Sequence, residues 1–430
     1  MSRPGSCKNL ADWLSWLETL SPHEIDLGLE RVREVLDRLG LAAPARVITV
    51  AGTNGKGSTV VMLEALLAQG GERVGSYTSP HIRDYNERIR IDGEPVSERA
   101  IVTAFERIEA VRDDVALTYF EFGTLAALVI FAGEPLDSVI LEVGLGGRLD
   151  AVNVLDPDAC LITNITLDHC DWLGDDIESI AAEKAGIMRA ATPVIFGSID
   201  VPEAIRTTAA AVAADLIVAG EDFRVHTQPE DAWQWSGCTL TIDGLNPPAL
   251  MGSHQLQNAA AALALIESIG LTDILTTSSV NTALASLHLP GRLQRVCVHD
   301  RTFVIDVAHN ADSARVLCET IAAMSVQGNV ITIIGVLGGK DLEAMIAALQ
   351  PVVDRWIACT ADSDKAVPAI EVASLIARHL DQPCRVGATV SEALESVQVG
   401  AQSSDLIVVT GSFLSVAPAL AWLDDFRCAS

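Results

Sequence analysis

The sequence predicts an α/β protein whose strands form mostly parallel sheets, and three observations predict it. The apolar run Val47-Ile48-Thr49-Val50 passes through a glycine-rich turn into the apolar stretch Val60-Val61-Met62-Leu63, which reads as strand, tight turn and helix. Short β-branched runs then alternate with helical stretches along much of the chain, as strand–helix–strand units do. The series breaks at Leu289-Pro290-Gly291-Arg292, and a shorter series of the same kind follows. Two domains, 1–290 and 291–430, are therefore expected, as a chain of 430 residues also suggests on size alone.

The turn Gly52-Thr53-Asn54-Gly55-Lys56-Gly57-Ser58 is a phosphate cradle. Its glycines let backbone N–H groups converge on an anion, the following helix adds the positive end of its dipole, and Lys56 reaches the terminal phosphates. The usual phosphate loop has Ser or Thr directly after Lys; here Gly57 intervenes before Ser58 and Thr59, so the loop is a variant. The bland alternative is a tight turn that binds nothing, and the lysine with two hydroxyls argues against it.

A net charge of −28 argues against a general nucleic-acid binder and against adhesion to anionic membranes. A nucleotide is itself an anion, so its site must be locally basic, which singles out Lys56, Arg83, Arg148, Lys184, Arg292 and Lys340. No apolar run reaches the ~18 residues of a membrane span, and no signal-peptide core follows the first residues. The nine cysteines are scattered and include no C-x-x-C pair, so reduced thiols fit best. We expect a cytoplasmic monomer acting on small molecules.

Residues 9–20 carry apolar side chains at helical spacing, and a second helix is expected over 24–39, stopped by Gly40. This pair is either a cover for the core or a lid over a planar ligand. Strand 73–77 runs into Thr78-Ser79-Pro80-His81, placing a hydroxyl and an imidazole at a strand's C-terminal end, where open α/β sheets place their chemistry. A hairpin arm at 88–93 and helices over 97–112 and 120–131 follow. The buried strand 138–143 carries Glu142 near its end; a buried carboxylate requires a salt bridge or a metal, and metal ligation is favoured. Gly144-Leu145-Gly146-Gly147-Arg148-Leu149-Asp150 lacks the dinucleotide spacing and reads as a flexible substrate loop. After strand 159–165 come Asp168, His169 and Asp171, candidates for metal or phosphate contact. A helix over 177–189 includes Lys184.

A further strand–helix–strand unit spans 193–220, a small β appendage 221–252, and helices begin at His254 and at 271. Past the break, strands are expected at 302–307, 329–335, 354–359 and 405–410 with helices between them, giving a smaller Rossmann-like α/β domain without a phosphate loop of its own.

Taken together, Gly-Thr-Asn-Gly-Lys-Gly-Ser (52–58), Tyr-Thr-Ser-Pro-His (77–81), Leu-Glu-Val-Gly-Leu-Gly-Gly-Arg-Leu-Asp (141–150), Asp-His-Cys-Asp-Trp-Leu-Gly (168–174), Glu-Lys-Ala-Gly-Ile (183–187), Leu-Pro-Gly-Arg (289–292) and Asp-Val-Ala-His-Asn (306–310) closely resemble the bacterial dihydrofolate synthase/folylpolyglutamate synthase family. The match follows family order over nearly the whole chain. That family belongs with the Mur ligases, which are ATP-dependent amide-forming enzymes. The resemblance implies a P-loop-containing, Mur-ligase-like central domain with an N-terminal helical lid, and a C-terminal domain that closes over the cleft and helps bind glutamate.

It also implies roles. Thr53, Asn54, Gly55, Lys56, Gly57 and Ser58 would hold ATP phosphates; Asn258, Arg292 and Asp306 match contacts to adenine, phosphate and ribose. Ser79, Glu142 and His169 match magnesium ligands, two ions being expected, and Lys184 matches a lysine that the family carries N-carboxylated. Thr19, Leu20, Ser21 and Pro22, Thr118, Tyr119, Phe120 and Glu121, and Leu149, Asp150 and Ala151 match pteroate-binding segments. The first of these segments favours the bifunctional type. His81, with Lys56 and Lys184, is a candidate for the catalytic step. A Mur ligase acting on a nucleotide-linked precursor would need a whole domain before the phosphate loop, and only 51 residues precede Gly52. A nucleotide switch would need a guanine-reading Asn-Lys-x-Asp segment, which is absent.

Overall fold

The computed structural model describes residues 9–21 and 25–428. They form two compact units. The chain up to Ala249 with Leu256–Leu287 makes the first; Leu250–Gln255 with the chain from His288 makes the second.

The first unit opens with α1 (Leu10–Leu20) and α2 (Glu30–Leu39), followed by β1 (Val47–Ala51), α3 (Lys56–Gln69), β2 (Val74–Tyr77), β3 (Ile89–Ile91), β4 (Glu94–Pro95), α4 (Glu98–Arg112), α5 (Tyr119–Phe131), β5 (Ser138–Glu142), β6 (Ala159–Ile162), α6 (Cys170–Leu173), α7 (Ile177–Ala185), β7 (Pro193–Phe196), α8 (Glu203–Val212) and β8 (Asp215–Val218). Eight strands lie in the order β4-β3-β2-β5-β1-β6-β7-β8. All pairs are parallel except β2 with β3 and β3 with β4. Every residue of β1 and β5 is buried, as expected of strands covered on both faces. The register sets Val50 beside Glu142 and Ala51 beside Ile162, so the strand end that launches the phosphate loop is flanked by the ends of β5 and β6.

Helix α1 buries Trp13 and Trp16 against Phe105 and Phe122, with ring centroids 5.3 to 6.3 Å apart. β9 (Arg224–Thr227), β10 (Trp233–Ser236) and β11 (Thr241–Leu245) form the antiparallel appendage. Glu267 of α9 (His254–Ser268) accepts from the backbone of Cys238, Thr239 and Leu240 and so ties the appendage to that helix. Helix α10 (Thr277–Ala285) ends the unit.

The second unit contains β12 (Gln294–Val298), β13 (Arg301–Ile305), α11 (Ala311–Ala323), β14 (Val330–Ile334), α12 (Leu342–Leu349), β15 (Arg355–Ala358), α13 (Ala369–Leu380), β16 (Cys384–Val386), α14 (Val390–Gly400), β17 (Leu406–Thr410) and α15 (Phe413–Cys428). Its six strands run β12-β13-β17-β14-β15-β16, parallel except for the β12–β13 hairpin.

The structure corrects several expected boundaries. The helix expected over 24–39 begins at Glu30. Ahead of it, the Gly28 N–H donates to the Leu149 carbonyl at 3.3 Å and Arg31 reaches the Asp26 carbonyl, contacts that hold the backbone out of the helix. The helix expected to reach 189 stops at Gly186, where a Cβ would lie 2.2 Å from that of Arg148. The helix expected over 271–287 is a 3-10 turn, Thr272–Ile274, and then α10, which the Thr276 side chain caps. Strands β12 and β16 were not expected. The loop 144–150, expected to be flexible, is pinned: Arg148 N–H donates to the Glu183 carbonyl at 2.8 Å, and Asp150 accepts from Leu145 N–H at 2.8 Å.

Candidate functional site

Gly52 leaves β1 at φ 143°, and a Cβ there would lie 1.8 Å from the Thr163 hydroxyl; only glycine fits. Gly55, at φ 86°, caps α3, so Lys56 is the first residue of that helix. The chain just past β6 braces the loop. The Asn164 carbonyl accepts from Thr53 N–H and its side-chain oxygen from Asn54 N–H, both at 2.9 Å, while the Thr163 hydroxyl donates to the Asn54 carbonyl at 2.6 Å. Lys56 folds back so that Nζ donates to the carbonyls of Gly52 and Thr53 at 3.0 and 3.1 Å. Ser58 is buried in the first turn of α3. The amide of Asn258 on α9 lies where a Cβ on Gly55 would be 2.9 Å from its oxygen. Thr53, Asn54, Gly55, Lys56, Gly57, Ser58 and Asn258 are thus brought together. Thr163 and Asn164 were missed, because their bracing role depends on β6 lying beside β1 and has no local signature.

Glu142, 4% exposed, ends β5 over the start of α3: a Cβ on Gly57 would sit 3.7 Å from its carboxylate. The same carboxylate accepts from Ser79 N–H at 3.1 Å, so Ser79 and Glu142 meet at the helix start. Lys184 is 4% exposed and donates through Nζ to the Gly52 carbonyl at 3.0 Å. Burial, and then the nearby Lys56 charge, lower its pKa to about 7. The His169 side chain is 44% exposed, at a residue with φ 53° that precedes α6, and its Nε2 is 3.9 Å from Asp168.

Among the described residues no three His, Cys, Asp or Glu side chains gather as an all-protein metal site. Magnesium does not require one: it keeps several waters and is bound through one or two carboxylates plus substrate phosphates. A buried carboxylate beside the Ser79 segment at the foot of a phosphate loop fits that ion, with Glu142 and Ser79 as the residues that would hold it.

His81 accepts at Nδ1 from Arg88 Nε at 2.8 Å, which puts the ring's own proton on Nε2. Burial, then the Arg88 charge, lower its pKa to about 4. His81 is therefore a neutral ring with one N–H to donate, which suits it to hydrogen bonding and makes it a poor base.

Among the segments matched to pteroate, Thr118 and Glu121 form the capping box of α5. Glu121 also holds Arg31 of α2 at 2.9 Å. Tyr119 and Phe120 are half-buried beside them. Asp150 accepts from Leu145 and Val152 N–H groups and caps the 3-10 turn beginning at Ala151; burial raises its pKa to about 6. Leu149 gives its carbonyl to Gly28. Thr19 is exposed and donates to the Trp16 carbonyl; Leu20 is buried at the end of α1 and Ser21 caps it. Pro22 lies outside the described residues.

In the second unit, Asp306 follows β13 and accepts from Leu293 and Ala308 N–H, both at 2.8 Å; burial raises its pKa. Arg292 lies over the Phe413 ring at 4.8 Å.

A phosphate loop braced by the next strand, with an acid at the end of the neighbouring strand, on a mostly parallel sheet followed by a second α/β unit, defines a Mur-type ligase. The model of the Mur ligase middle domain matches residues 50–266 and that of the Mur ligase, glutamate ligase domain residues 291–413; enzymes of this class are ATP-dependent amide ligases. The chain is 40% identical over 425 residues to the dihydrofolate synthase/folylpolyglutamate synthase of Escherichia coli, covering 99% of this chain and 98% of that one. It is 35% identical over 403 residues to the Mycobacterium tuberculosis protein of the same name, covering 86% and 81%. The structure of E. coli FolC in complex with DHPP and ADP superposes with a TM-score of 0.93 at 40% identity, over 99% of this chain and 100% of that one. A bifunctional folylpolyglutamate synthase/dihydrofolate synthase with Mn, AMPPNP and L-glutamate bound gives 0.89 at 40% identity, over 98% and 99%. The chain belongs to the dihydrofolate synthase/folylpolyglutamate synthase family.

Proposed function

We propose that this protein is an ATP-dependent ligase that joins L-glutamate to 7,8-dihydropteroate, forming dihydrofolate, and to the glutamate tail of reduced folates. The observation that carries this reading is the 40% identity over the full chain to the E. coli enzyme of that name, and the braced phosphate loop supports it. We take it to act as a cytoplasmic monomer on small molecules. Residues 1–290 would bind ATP and the acceptor, and residues 291–430 would help bind glutamate. For the nucleotide, Thr53 to Ser58 would hold the phosphates; Asn258, Arg292 and Asp306 would contact adenine, phosphate and ribose.

A carboxylate is a poor electrophile, so the γ-phosphoryl of ATP passes to an acceptor carboxylate oxygen, giving an acyl phosphate and ADP. The glutamate amine then attacks the acyl carbon, and the tetrahedral intermediate expels phosphate to leave the amide. The residues contribute mainly positioning and charge. The Thr53 to Ser58 backbone orients the phosphates, Lys56 swings from its loop carbonyls to the moving phosphoryl group, and neutral His81 offers its Nε2 proton to a developing oxyanion. Glu142 and Ser79, with His169 and an N-carboxylated Lys184, would hold magnesium, which when bound neutralises the phosphate oxygens. Exclusion of water protects the acyl phosphate.

The test is glutamate-dependent phosphate release from ATP and magnesium with 7,8-dihydropteroate or reduced folate as acceptor. Release with both supports the bifunctional reading. Release with reduced folate alone reduces it to a tail-extending enzyme, and silence with both rejects it.

A further inference from the structure

Arg88 is 8% exposed at the end of the 3-10 turn Tyr85–Arg88. The other well-buried arginine, Arg112, pairs with Glu109, and the half-buried Arg31 and Arg90 pair with Glu121 and Glu64. Arg88 has no carboxylate partner among the described residues. Its Nε donates to Nδ1 of His81 at 2.8 Å, and the Tyr77 hydroxyl is a further hydrogen-bonding neighbour of the guanidinium, which leaves donors to spare. Its remaining neighbours are rings: the guanidinium carbon lies 5.2 Å from the Tyr85 centroid and 5.6 Å from that of Tyr119.

Aromatic faces offset only part of the cost of burying a cation, and natural proteins almost always supply a counter-ion. A second polar group nearby is also unmatched. The Tyr85 hydroxyl is buried without a hydrogen-bond partner among the described residues, while the Tyr77 hydroxyl lies beside Thr124 and Arg88. Both converge on Gly123 of α5, where a Cβ would lie 2.5 Å from the Tyr85 oxygen and 3.1 Å from the Tyr77 oxygen. Both hydroxyls are turned into α5, so the group with donors to spare is the guanidinium, and beside Tyr85 and Tyr119 it suits a carboxylate carried on an aromatic ring.

We propose that Arg88 is a specificity-determining residue that receives the carboxylate of the acyl acceptor, one oxygen on the guanidinium and the other left to attack ATP. This rests on the reading of the first unit as the acceptor site. Position selects the acceptor over glutamate. Tyr119 belongs to the segment matched to pteroate, while His81 stands two residues past Ser79, whose N–H meets Glu142 beside the phosphate loop. Arg88 touches both, so it lies on the line between the aromatic acceptor and the transferred phosphoryl group. Its planar fork matches a carboxylate in a way that a lysine ammonium does not.

The test compares wild type with Arg88→Met and Arg88→Lys by thermal unfolding and by phosphate-release kinetics. Arg88→Met should melt at the wild-type temperature or above, because it removes an uncompensated buried charge. Its KM for dihydropteroate should rise on the order of 10²-fold, with the KM for ATP and glutamate within about threefold of wild type. Dihydropteroate should raise the melting temperature of wild type and not of Arg88→Met; Arg88→Lys should fall between them. An unchanged dihydropteroate KM in either folded variant overturns the proposal. So does a rise confined to the glutamate KM, which would assign the guanidinium to the other substrate. If Arg88→Met does not fold and Arg88→Lys folds with a normal dihydropteroate KM, the residue is structural and the proposal fails. A wild type that neither binds nor turns over any folate acceptor brings down the substrate reading first, a result visible without either variant.

Discussion

The carbonyl oxygen of Gly52 receives the side-chain nitrogens of both Lys184 and Lys56, each at 3.0 Å. Two ammonium groups on one carbonyl repel each other, and the more buried of them yields: Lys184 has its pKa lowered to about 7 by burial and by the Lys56 charge. A neutral amine is the form that adds carbon dioxide. The addition would turn a cation that crowds the phosphate loop into an anion that Lys56 welcomes.

Lys184→Ala should therefore abolish ligase activity, and short carboxylates such as formate or acetate should restore part of it. Wild type stripped of carbon dioxide should regain activity with bicarbonate, more readily above pH 7 than below it. Full activity in the alanine variant, or indifference to bicarbonate, would remove the role.

The same shift has a consequence for stability. The folded protein releases the Lys184 proton near 7, whereas the unfolded chain holds it to about 10.5. Between those values the unfolded state binds more protons, so this group adds stability as pH rises; below about 7 its burial as a cation carries the full penalty. Denaturant unfolding of Lys184→Met, compared with wild type free of carbon dioxide, should lose that rise. Parallel curves would contradict the assignment.

Gly52→Ala should weaken ADP binding by more than about tenfold and destabilise the first unit by roughly 2 kcal/mol or more, since φ 143° and the Thr163 hydroxyl both exclude a side chain. Calorimetric titration with ADP is the check, and wild-type affinity the adverse result.

Glu121→Ala removes a capping box and leaves Arg31 with only the exposed Asp26 as an ion-pair partner, which should cost about 2 kcal/mol. If α2 is part of a lid, Arg31→Met should raise the acceptor KM while leaving the ATP KM unchanged. Equal effects on both would reduce the pair to a scaffold contact.

Gly411→Ala places a Cβ 2.4 Å from the Gly335 carbonyl oxygen at φ 114°, and should unfold the second unit before the first. Hydrogen exchange resolved along the chain would detect this, and uniform protection would refute it.

What the sequence revealed was local. The phosphate loop, the buried Glu142 strand and the alternation of strands and helices are each written in fewer than about twenty adjacent residues, and the structure has all three. What it hid depends on segments that meet only in the fold. Asn164 braces a loop 110 positions earlier in the chain, and Arg88 stands out only once its missing carboxylate partner can be noticed. Gly186 ends α7 early because Arg148 crosses it. The short strand β16 and the hairpin strand β12 are specified by their neighbours in the sheet more than by their own composition. Thr118 and Glu121, matched to substrate by resemblance, also form the capping box of α5, a second role that the resemblance does not mention.

The chain passes from the first compact unit to the second at residue 250, returns at 256 and leaves again at 288. Neither unit is a continuous stretch of gene. A recombination event with one breakpoint cannot exchange either of them intact, and a fragment beginning at 288 would lack six residues that belong to its own body. A single cut at 288 between two relatives would therefore join residues 250–255 of one parent to the second unit of the other.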